Sequence, residues 1–365
     1  MRLQFCRSMT AVSLLTSMLL APLGIAQPDE KVVPSSSDAG SSKKPQGLDQ
    51  APLSFEPPST AQDADTRLTL DDRVYACACG CGVFEVGTST MLPQGPGGMV
   101  WLEYDYQDQN RNWSGSSRAP AADNDDKEIR TTFLTLGLQY LFNRSWGFQV
   151  QVPYDLRHFE TVGGASGSDT VDVNWGSLGD IRVEGIYTGF FPDLSAGVTF
   201  GLKLPTGSYR HNDAYDDVDR DTQIGTGSWD FLLGGFYRSA FAEGSSWNWF
   251  AQVSSDLPFT SKASYRPGFE VDGAIGLYYT GITVKGVGIV PIGQVIVSER
   301  TSDGGDNAAD PVASGYQRIL LSPGVEIDFH PIRLYADVEF PVYEHVTGNQ
   351  LVAPALFKAI ISVSF

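Results

Sequence analysis

Apolar and polar residues alternate one by one along much of this chain, and residues 131–156 show the pattern most clearly. Every second residue before a short turn at Asn143 and Arg144 is apolar or aromatic, and the alternation resumes at Trp146 and continues to Leu156. A period of two places the two sets on opposite faces of a β-hairpin. In a soluble sandwich the apolar face would be core, whereas in an outer-membrane barrel it would meet lipid and the polar face would line the lumen.

Similar alternation recurs from Gly98 to the end of the chain and predicts about twelve strands. Short connections fall near Asn143 and Pro331, among others. Long polar connections run through 107–127, 161–176, 207–226, 259–267 and 301–314, with a shorter one at 347–350. Short turns on one rim and long loops on the other are typical of outer-membrane barrels, and a sandwich has no reason for this asymmetry. We therefore predict an all-β fold, a transmembrane antiparallel up-and-down β-barrel of about 12 strands.

Two of the predicted strands have less regular faces than the others. We expect Leu194 to begin the lipid-facing set of one of them. In the strand around Ile289 both faces are apolar, because the second face carries Val290, Ile292 and Ile296.

The N-terminal part differs in composition from the predicted barrel over 98–365. Residues 1–26 combine an arginine-containing start with an apolar run and an A-x-A-like end, which predicts a secretory signal peptide. Residues 27–75 are rich in Ser, Pro, Asp and Ala, so we expect a disordered periplasmic linker. Residues 76–97 hold a cysteine-rich element and the lead-in to the barrel. The expected location is the cell outer membrane, with the N-terminal segment in the periplasm.

The charge of the chain narrows the classes of partner. The formal net charge is −18 at pH 7, and no basic stripe is available to neutralise phosphates, so we expect no nucleic-acid partner. After the N-terminus there is no apolar run long enough for a helical membrane span. The acidic balance fits an acidic surface or an acidic lumen.

The last predicted strand ends on Phe365, with apolar residues at every second position before it. A C-terminal aromatic residue on such a strand resembles the signal read by the barrel-insertion machinery. We therefore expect that machinery and outer-membrane lipid to be partners of the chain.

Four short glycine-rich motifs stand near strand ends: MLPQG at 91–95, GSLGD at 176–180, GLKLPTG at 201–207 and GTGSWD at 225–230. They resemble motifs of the outer-membrane barrel family named for the MetA pathway of phenol degradation. The resemblance covers 87–365 and implies a transporter-like barrel that passes small, often hydrophobic or aromatic compounds. It carries no proven substrate and no catalytic residues.

If the apolar set faces lipid, alternation assigns the other set to the lumen. We expect the pairing or bonding of these charges to fill the lumen, or alternatively a constricted acid-biased pathway that favours cations or neutral solutes over anions. Asp256, Asp328 and Lys358 share this face. The predicted lumen or pathway residues are Glu103, Asp105, Gln149, Gln151, Asp155, Arg157, Asp180, Arg182, Glu184, Lys203, Asp230, Arg238, Glu270, Asp272, Arg318, Glu326, Asp337 and Glu339.

Three cysteines, Cys77, Cys79 and Cys81, lie together in a segment rich in Gly and Ala. Thiolates are soft ligands, so this cluster is a candidate site for Cu or Zn. In an oxidising compartment an odd number of cysteines instead suggests one disulfide plus a free or intermolecular thiol. A c-type haem site is excluded, because no Cys-x-x-Cys-His motif occurs.

Catalysis on the barrel surface would require a nucleophile beside a histidine. His158 falls on the lipid-facing parity near the extracellular end of its strand, but Glu160, not serine, lies two residues on. We therefore expect an interfacial histidine and a protein that is not an enzyme. The acidic loop residues, Asp219, Asp221 and Asp303 among them, are interpreted as solvated surface in preference to calcium ligands.

Two functions follow from these patterns. The first is an outer-membrane channel or transporter for small, possibly hydrophobic or aromatic, solutes. The alternative is a structural or interaction barrel whose N-terminal cysteines bind a metal or a periplasmic partner.

Overall fold

The computed structural model describes residues 95–163, 169–212, 218–306 and 313–365. Residues 1–94, which hold the predicted signal peptide, the linker and the three cysteines, lie outside this part. Within the described ranges a single short 3-10 turn occurs at Ala121–Asp123, and no helix is long and apolar enough to cross a membrane. The strands are β1 (Gly97–Gln109), β2 (Arg111–Gly115), β3 (Ser117–Arg118), β4 (Asp126–Leu141), β5 (Trp146–Gly163), β6 (Asp169–Leu178), β7 (Ile181–Tyr187), β8 (Ala196–Leu204), β9 (Asp230–Ala240), β10 (Trp247–Pro258), β11 (Glu270–Tyr279), β12 (Ile282–Val284), β13 (Val287–Arg300), β14 (Tyr316–Phe329), β15 (Ile332–Val352) and β16 (Leu356–Ser364).

Antiparallel pairing joins neighbouring strands into a closed ring of twelve positions. Strands β6 and β7 share one position, because β6 pairs with the 154–163 part of β5 and β7 pairs with the 146–151 part. The ring closes where β1 pairs with β16, from Met99 opposite Ser364 to Gln107 opposite Leu356. Strands β2, β3 and β12 are additions at the rims. The predicted twelve-stranded antiparallel barrel is confirmed.

Side chains alternate between the outer and inner faces of the barrel wall. On β1, Val100 and Leu102 are 38% and 46% exposed, whereas Trp101 between them is 1% exposed. The same alternation of exposed apolar and buried residues continues on the strands that follow. An exposed apolar belt with a buried polar interior is the arrangement of a transmembrane barrel, since lipid replaces water on the outer face.

Some segments predicted as loops are paired strand. Strand β5 continues to Gly163 and β6 begins at Asp169, so most of the predicted 161–176 loop belongs to the wall. The 347–350 stretch lies inside β15, and β2 pairs with that region. On β5 and β6 the outward residues here, such as Glu160 and Asp172, are polar, while Phe159 and Val171 are buried on the inner face, so the apolar outward pattern is lost although backbone pairing continues. The long-loop rim is therefore raised above the apolar belt.

Leu194 does not begin a lipid-facing set. It lies in the turn before β8 with φ of 57° and is buried, while the outward set starts within the strand. The turn needs one residue in the left-handed region, which reverses the direction of the side chain that alternation predicted.

Candidate functional site: the barrel interior

The inner faces of β7 to β10 carry a compact network of two bases and two acids. Lys203 lies opposite Arg182 on one side and opposite Asp230 on the other. The Lys203 ammonium is 2.9 Å from an Asp256 oxygen and also pairs with Asp230. Arg182 donates to the same Asp256 oxygen at 2.9 Å. Two positive and two negative groups therefore compensate one another inside the wall, which is what buried charge requires.

A second group of charges lies at the pairing of the first and last strands. Lys358 of β16 is opposite Asp105 in the strand pairing and 3.6 Å from its carboxylate, and it pairs with Glu103 as well. On its other side Lys358 is opposite Asp337 of β15. The Lys358 ammonium therefore lies among carboxylates of both neighbouring strands, β1 and β15.

Asp337 has further partners among neutral side chains. One of its oxygens accepts hydrogen bonds from the Ser322 hydroxyl at 2.6 Å, the Tyr335 hydroxyl at 2.7 Å and the Gln294 amide at 3.2 Å. These donors come from β13, β14 and β15, so the network ties three strands together through one carboxylate. The Asp337 carboxylate is therefore fixed by donors from all three strands.

Amide and carboxylate groups form a chain across β4, β5 and β7. The Gln139 side-chain amide donates to the Gln149 side-chain oxygen Oε1 at 3.2 Å, and the Gln149 amide nitrogen donates to a Glu184 carboxylate oxygen at 3.2 Å. Gln149 and Glu184 are directly opposite in the strand pairing. The inner wall is therefore polar on this side of the barrel.

Residues 218–226, called the inward segment, fold from the β8–β9 connection into the barrel. Its Val218, Thr222 and Gln223 are buried. Arg157, on the inner face of β5, donates to the Thr222 carbonyl oxygen at 2.6 Å. Gln223 donates to the Val218 carbonyl oxygen at 2.7 Å, which closes the segment on itself. A segment held to the inner wall in this way narrows the lumen.

Asp180, in the break between β6 and β7, holds the two ends of this connection together. One of its oxygens accepts from the Gly207 backbone N–H at 2.8 Å. The other accepts from the Thr226 backbone N–H at 2.9 Å and from the Thr226 hydroxyl at 2.7 Å. Sequence alternation assigned Asp180 to the lumen wall, and the structure places it as an anchor of the inward segment.

Arg220 fixes the same segment from above. Its guanidinium lies between the Tyr209 and Tyr265 rings, 4.4 Å and 4.7 Å from their centroids. It also donates to the Tyr209 and Thr226 carbonyl oxygens, at 2.9 Å and 2.8 Å. Arginine between two aromatic faces gains cation–π attraction on both sides.

A cavity of about 760 Å³ lies at the long-loop rim, and we call it the vestibule. Seven acidic and five basic residues line it, together with aromatic groups such as Phe133 and Tyr316. On the inward segment, burial raises the pKa of Asp221 to about 6, and the charges of Asp219 and Asp303 add to the rise. The lining acids are Asp123, Asp125, Asp126, Asp219, Asp221, Asp256 and Glu270, and the bases are Arg157, Lys203, Arg220, Arg300 and Arg318.

Asp303 differs from the solvated loop residue that the sequence suggested. It is 6% exposed and accepts from the Arg300 guanidinium at 2.6 Å, the Gly268 backbone N–H at 2.7 Å and the Tyr265 hydroxyl at 3.0 Å. It is buried because it joins the β10–β11 connection to the end of β13.

Below the vestibule, on the side of β1, β10, β11 and β13 to β16, buried apolar side chains pack together beside the buried charged and amide groups of the same strands. Phe250, Val290, Ile296 and Leu320 have no exposed surface at all. Most of the group lies in the half nearer the short-turn rim, and Tyr316 packs against it and also lines the vestibule. This apolar cluster comprises Met99, Trp101, Phe250, Ala274, Tyr278, Val290, Ile292, Ile296, Leu320, Tyr335, Ala353, Leu356 and Ile360.

Two large rings of the cluster lie flat over glycines. Trp101 is paired with Gly137, where a Cβ atom would be 2.0 Å from the indole. Phe250 is paired with Gly276, where a Cβ atom would be 2.1 Å from the phenyl ring. A ring that covers a glycine on the next strand fills the space that a side chain would otherwise occupy. The two glycines therefore set the positions of the two rings.

All eighteen predicted lumen residues are buried or partly buried, and twelve are fully buried. Besides the residues already described, Glu270 accepts from the Tyr316 hydroxyl at 2.6 Å, and Arg318 pairs with Glu344 at 2.5 Å. The structure does not bring the eighteen together in one site, because they are spread over both halves of the wall. Gln151, Glu184 and Arg182 are partly buried, and Asp155, Arg238, Asp272, Glu326 and Glu339 are fully buried.

Sequence reasoning missed the apolar cluster, although one signal was present. The doubly apolar strand around Ile289 is β13, and its second face places Val290, Ile292 and Ile296 inside the barrel. Trp101 and Phe250 gave no signal of their own, because an isolated aromatic residue on a polar face does not change the period of the pattern.

Comparison with known structures agrees with this architecture. The COG4313 outer membrane channel from Pseudomonas putida F1 superposes with a TM-score of 0.53 at 14% identity, covering 79% of this chain and 100% of that chain. The fold is that of an outer-membrane β-barrel. The β domain of the Bordetella autotransporter BrkA gives a TM-score of 0.45 at 14% identity, covering 74% of this chain and 100% of that chain. No protein-family model and no curated protein sequence matches the chain, so the resemblance to the MetA-pathway family stays a prediction.

Proposed function

We propose that this chain is an outer-membrane channel for small solutes, with a preference for neutral compounds that carry an aromatic or apolar part. The long-loop rim is assigned to the cell exterior and the short-turn rim to the periplasm, as in other barrels of this kind. The COG4313 protein that shares the fold is itself described as a channel.

The observation that carries this proposal is the change of lining along the barrel. A polar vestibule of about 760 Å³ at one rim leads, through Tyr316, to a cluster of buried apolar side chains. An apolar constriction opposes ions and water, because both lose hydration there, whereas an aromatic solute loses much less. The arrangement therefore favours solutes that can exchange a polar contact for an apolar one.

The proposed pathway is acid-biased at its entrance. Seven carboxylate residues face five basic residues in the vestibule, and Lys203 is already paired with Asp256 and Arg300 with Asp303. Cations and neutral solutes should enter this space more readily than anions. The predicted lumen residues that lie on the vestibule wall, Arg157, Lys203, Glu270 and Arg318, would be contacted first.

The test uses liposomes with the purified full-length protein in the membrane and a galactosidase trapped inside. Two substrates of that enzyme are compared: o-nitrophenyl galactoside, which carries an aromatic ring, and lactose, which does not. We expect the nitrophenyl compound to be hydrolysed faster than lactose relative to protein-free liposomes. Equal rates at the protein-free level for both compounds would refute the proposal.

A pair of variants connects transport to the apolar cluster. Trp101→Ala removes an inward ring that is 1% exposed, while Leu102→Ala removes an outward side chain of the same strand that is 46% exposed. We expect Trp101→Ala to raise ionic conductance in planar bilayers and to reduce the advantage of the aromatic substrate. Leu102→Ala should change neither, and equal behaviour of the two variants would refute the role of the cluster.

A further inference from the structure

The outer face of the barrel carries a cluster of polar side chains that is separate from the polar residues of the interior. Strands β4, β5 and β6 rise together at the long-loop rim, above the apolar belt. On the outer face of β5, Tyr154 and Leu156 are exposed apolar residues, and the next two outward positions are His158 and Glu160. This cluster of polar side chains therefore begins immediately where the apolar belt ends.

Three carboxylates lie side by side across these strands. Glu160 of β5 is directly opposite Glu128 of β4 on one side and directly opposite Asp172 of β6 on the other. Like charges in directly opposed positions destabilise a sheet. Arg130 lies 3.6 Å from one Glu128 oxygen, but it is 44% exposed, so its charge compensates little of this repulsion.

His158 occupies the row next to the carboxylates. Its Nδ1 is 3.1 Å from the Asn174 Oδ1 and 3.4 Å from an Asp172 oxygen. The Asn174 amide nitrogen donates to Asp172 at 2.9 Å, which leaves Asn174 Oδ1 as an acceptor. In the neutral form of the ring the proton therefore belongs on Nδ1, which leaves the Nε2 lone pair for a ligand.

That lone pair faces other electron-rich atoms. The His158 Nε2 atom is 3.7 Å from a Glu128 oxygen, and ligand atoms of Glu128, His158 and Glu160 all lie within 4.8 Å of one another. A neutral imidazole and two carboxylates in this arrangement repel one another unless a cation lies between them. The remote ring nitrogen, bonded to an amide or carboxylate oxygen, is the usual support of a metal-binding histidine.

We propose that Glu128, His158 and Glu160 form a binding site for a divalent metal ion on the outer face of the barrel, at the level where the apolar belt ends. One imidazole nitrogen and two carboxylate oxygens suit Mn²⁺ or Zn²⁺. Asn174 is a positioning residue, because it orients the ring without reaching the ion. Three protein ligands leave coordination positions for water or for an anionic oxygen from the membrane surface.

The test measures Mn²⁺ binding to the full-length protein in detergent micelles by the loss of the free-ion signal in electron paramagnetic resonance. Mn²⁺ is chosen because thiolates are poor ligands for it, so the three N-terminal cysteines do not compete. We expect about one ion per chain, with the affinity reduced at least tenfold in His158→Gln and in Glu160→Gln. Asn174→Ala should weaken binding about tenfold, the low end of the effect of losing a support of a ligating histidine.

His345→Gln is the matched control, because His345 also lies at the long-loop rim but is bonded to the Ser116 hydroxyl at 2.8 Å. It should bind Mn²⁺ as the unchanged protein does. Absence of stoichiometric binding, or equal binding by all four variants, would overturn the proposal in favour of a protonated His158 paired with Glu128. Heat-modifiable migration of each variant in gel electrophoresis shows that the barrel is intact.

Discussion

Asp180 offers a direct way to release the inward segment, residues 218–226, from the barrel wall. The change is Asp180→Ala, which removes the acceptor of three hydrogen bonds, one from Gly207 and two from Thr226. Two of the three donors are backbone N–H groups whose geometry depends on the carboxylate. The variant therefore loosens the segment where it returns to the wall before β9.

The free energy that Asp180→Ala removes from the folded segment is set by these three hydrogen bonds. A hydrogen bond to a charged group contributes about 1.5–3 kcal/mol, so three are worth at least about 4 kcal/mol in the folded segment. A factor of ten in population corresponds to about 1.4 kcal/mol, so opening should become about a thousandfold more frequent. Arg157 and Gln223 still hold the middle of the segment, which limits the opening to the part near Thr226. The opening frequency of Asp180→Asn should lie between those of the unchanged protein and of Asp180→Ala, because the asparagine side chain keeps one acceptor oxygen.

Hydrogen–deuterium exchange of the segment is the assay. In the unchanged protein we expect slow exchange of the amides of Gly225 and Thr226, and in Asp180→Ala exchange faster by about three orders of magnitude. Single-channel recordings should show larger and more frequent conductance fluctuations, since the segment lines the vestibule. Asp193→Ala is the control, because Asp193 bonds one backbone N–H in a turn of the other rim. Unchanged exchange in Asp180→Ala, with an intact barrel, would refute this account of the anchor.

Asp221 in the vestibule and Glu326 inside the barrel wall are two acids whose replacement has a measurable effect. Because the pKa of Asp221 is raised to about 6, its carboxyl is neutral below that pH and charged above it, so cation preference measured by reversal potential should increase as pH rises through about 6. Asp221→Asn should flatten that dependence, and a dependence of equal size in the variant would contradict it. Glu326 has no exposed surface, and neither of its carboxylate oxygens has a hydrogen-bond partner among the described residues. Glu326→Leu should therefore raise the free energy of unfolding in urea by about 1–3 kcal/mol, and a loss of stability would show that the carboxylate is needed.

The barrel itself was predictable because its physics is periodic. Apolar and polar side chains must alternate along each wall strand, because one face meets lipid and the other meets the lumen. The hairpin at 131–156 has the pairing that its alternation indicates, with Leu138 opposite Val150. An apolar outward face no longer marks a strand where the wall rises above the lipid. In the paired extensions of β5 and β6, apolar residues such as Phe159 and Val171 are buried on the inner face and the outward residues are polar, the reverse of the belt, so the pattern predicts a loop.

The interior was predictable in position but not in organisation. Parity places Asp180 and Lys203 on the inner wall, yet it cannot show that one anchors a loop and the other joins an ion network, because those partners are distant in sequence. The apolar cluster was hidden for a related reason: Trp101 and Phe250 are placed by glycines on neighbouring strands, and such pairs are visible only when the register is known. The Glu128, His158 and Glu160 group likewise depends on a register between two strands.

Lys358 makes the joint between β16 and β1 an ion-paired contact between the two ends of the barrel sequence. Its partners Glu103 and Asp105 are on the first strand, more than 250 residues away in the chain, and Asp337 is on the strand before its own. During assembly the first strand therefore carries two carboxylates without their cation until the last strand arrives. The final pairing is therefore also the step that compensates the charge of these acids. Closure of the ring is thus driven by electrostatics as well as by backbone hydrogen bonds. A chain that stops short of Lys358 would retain an edge on which the Glu103 and Asp105 carboxylates repel each other.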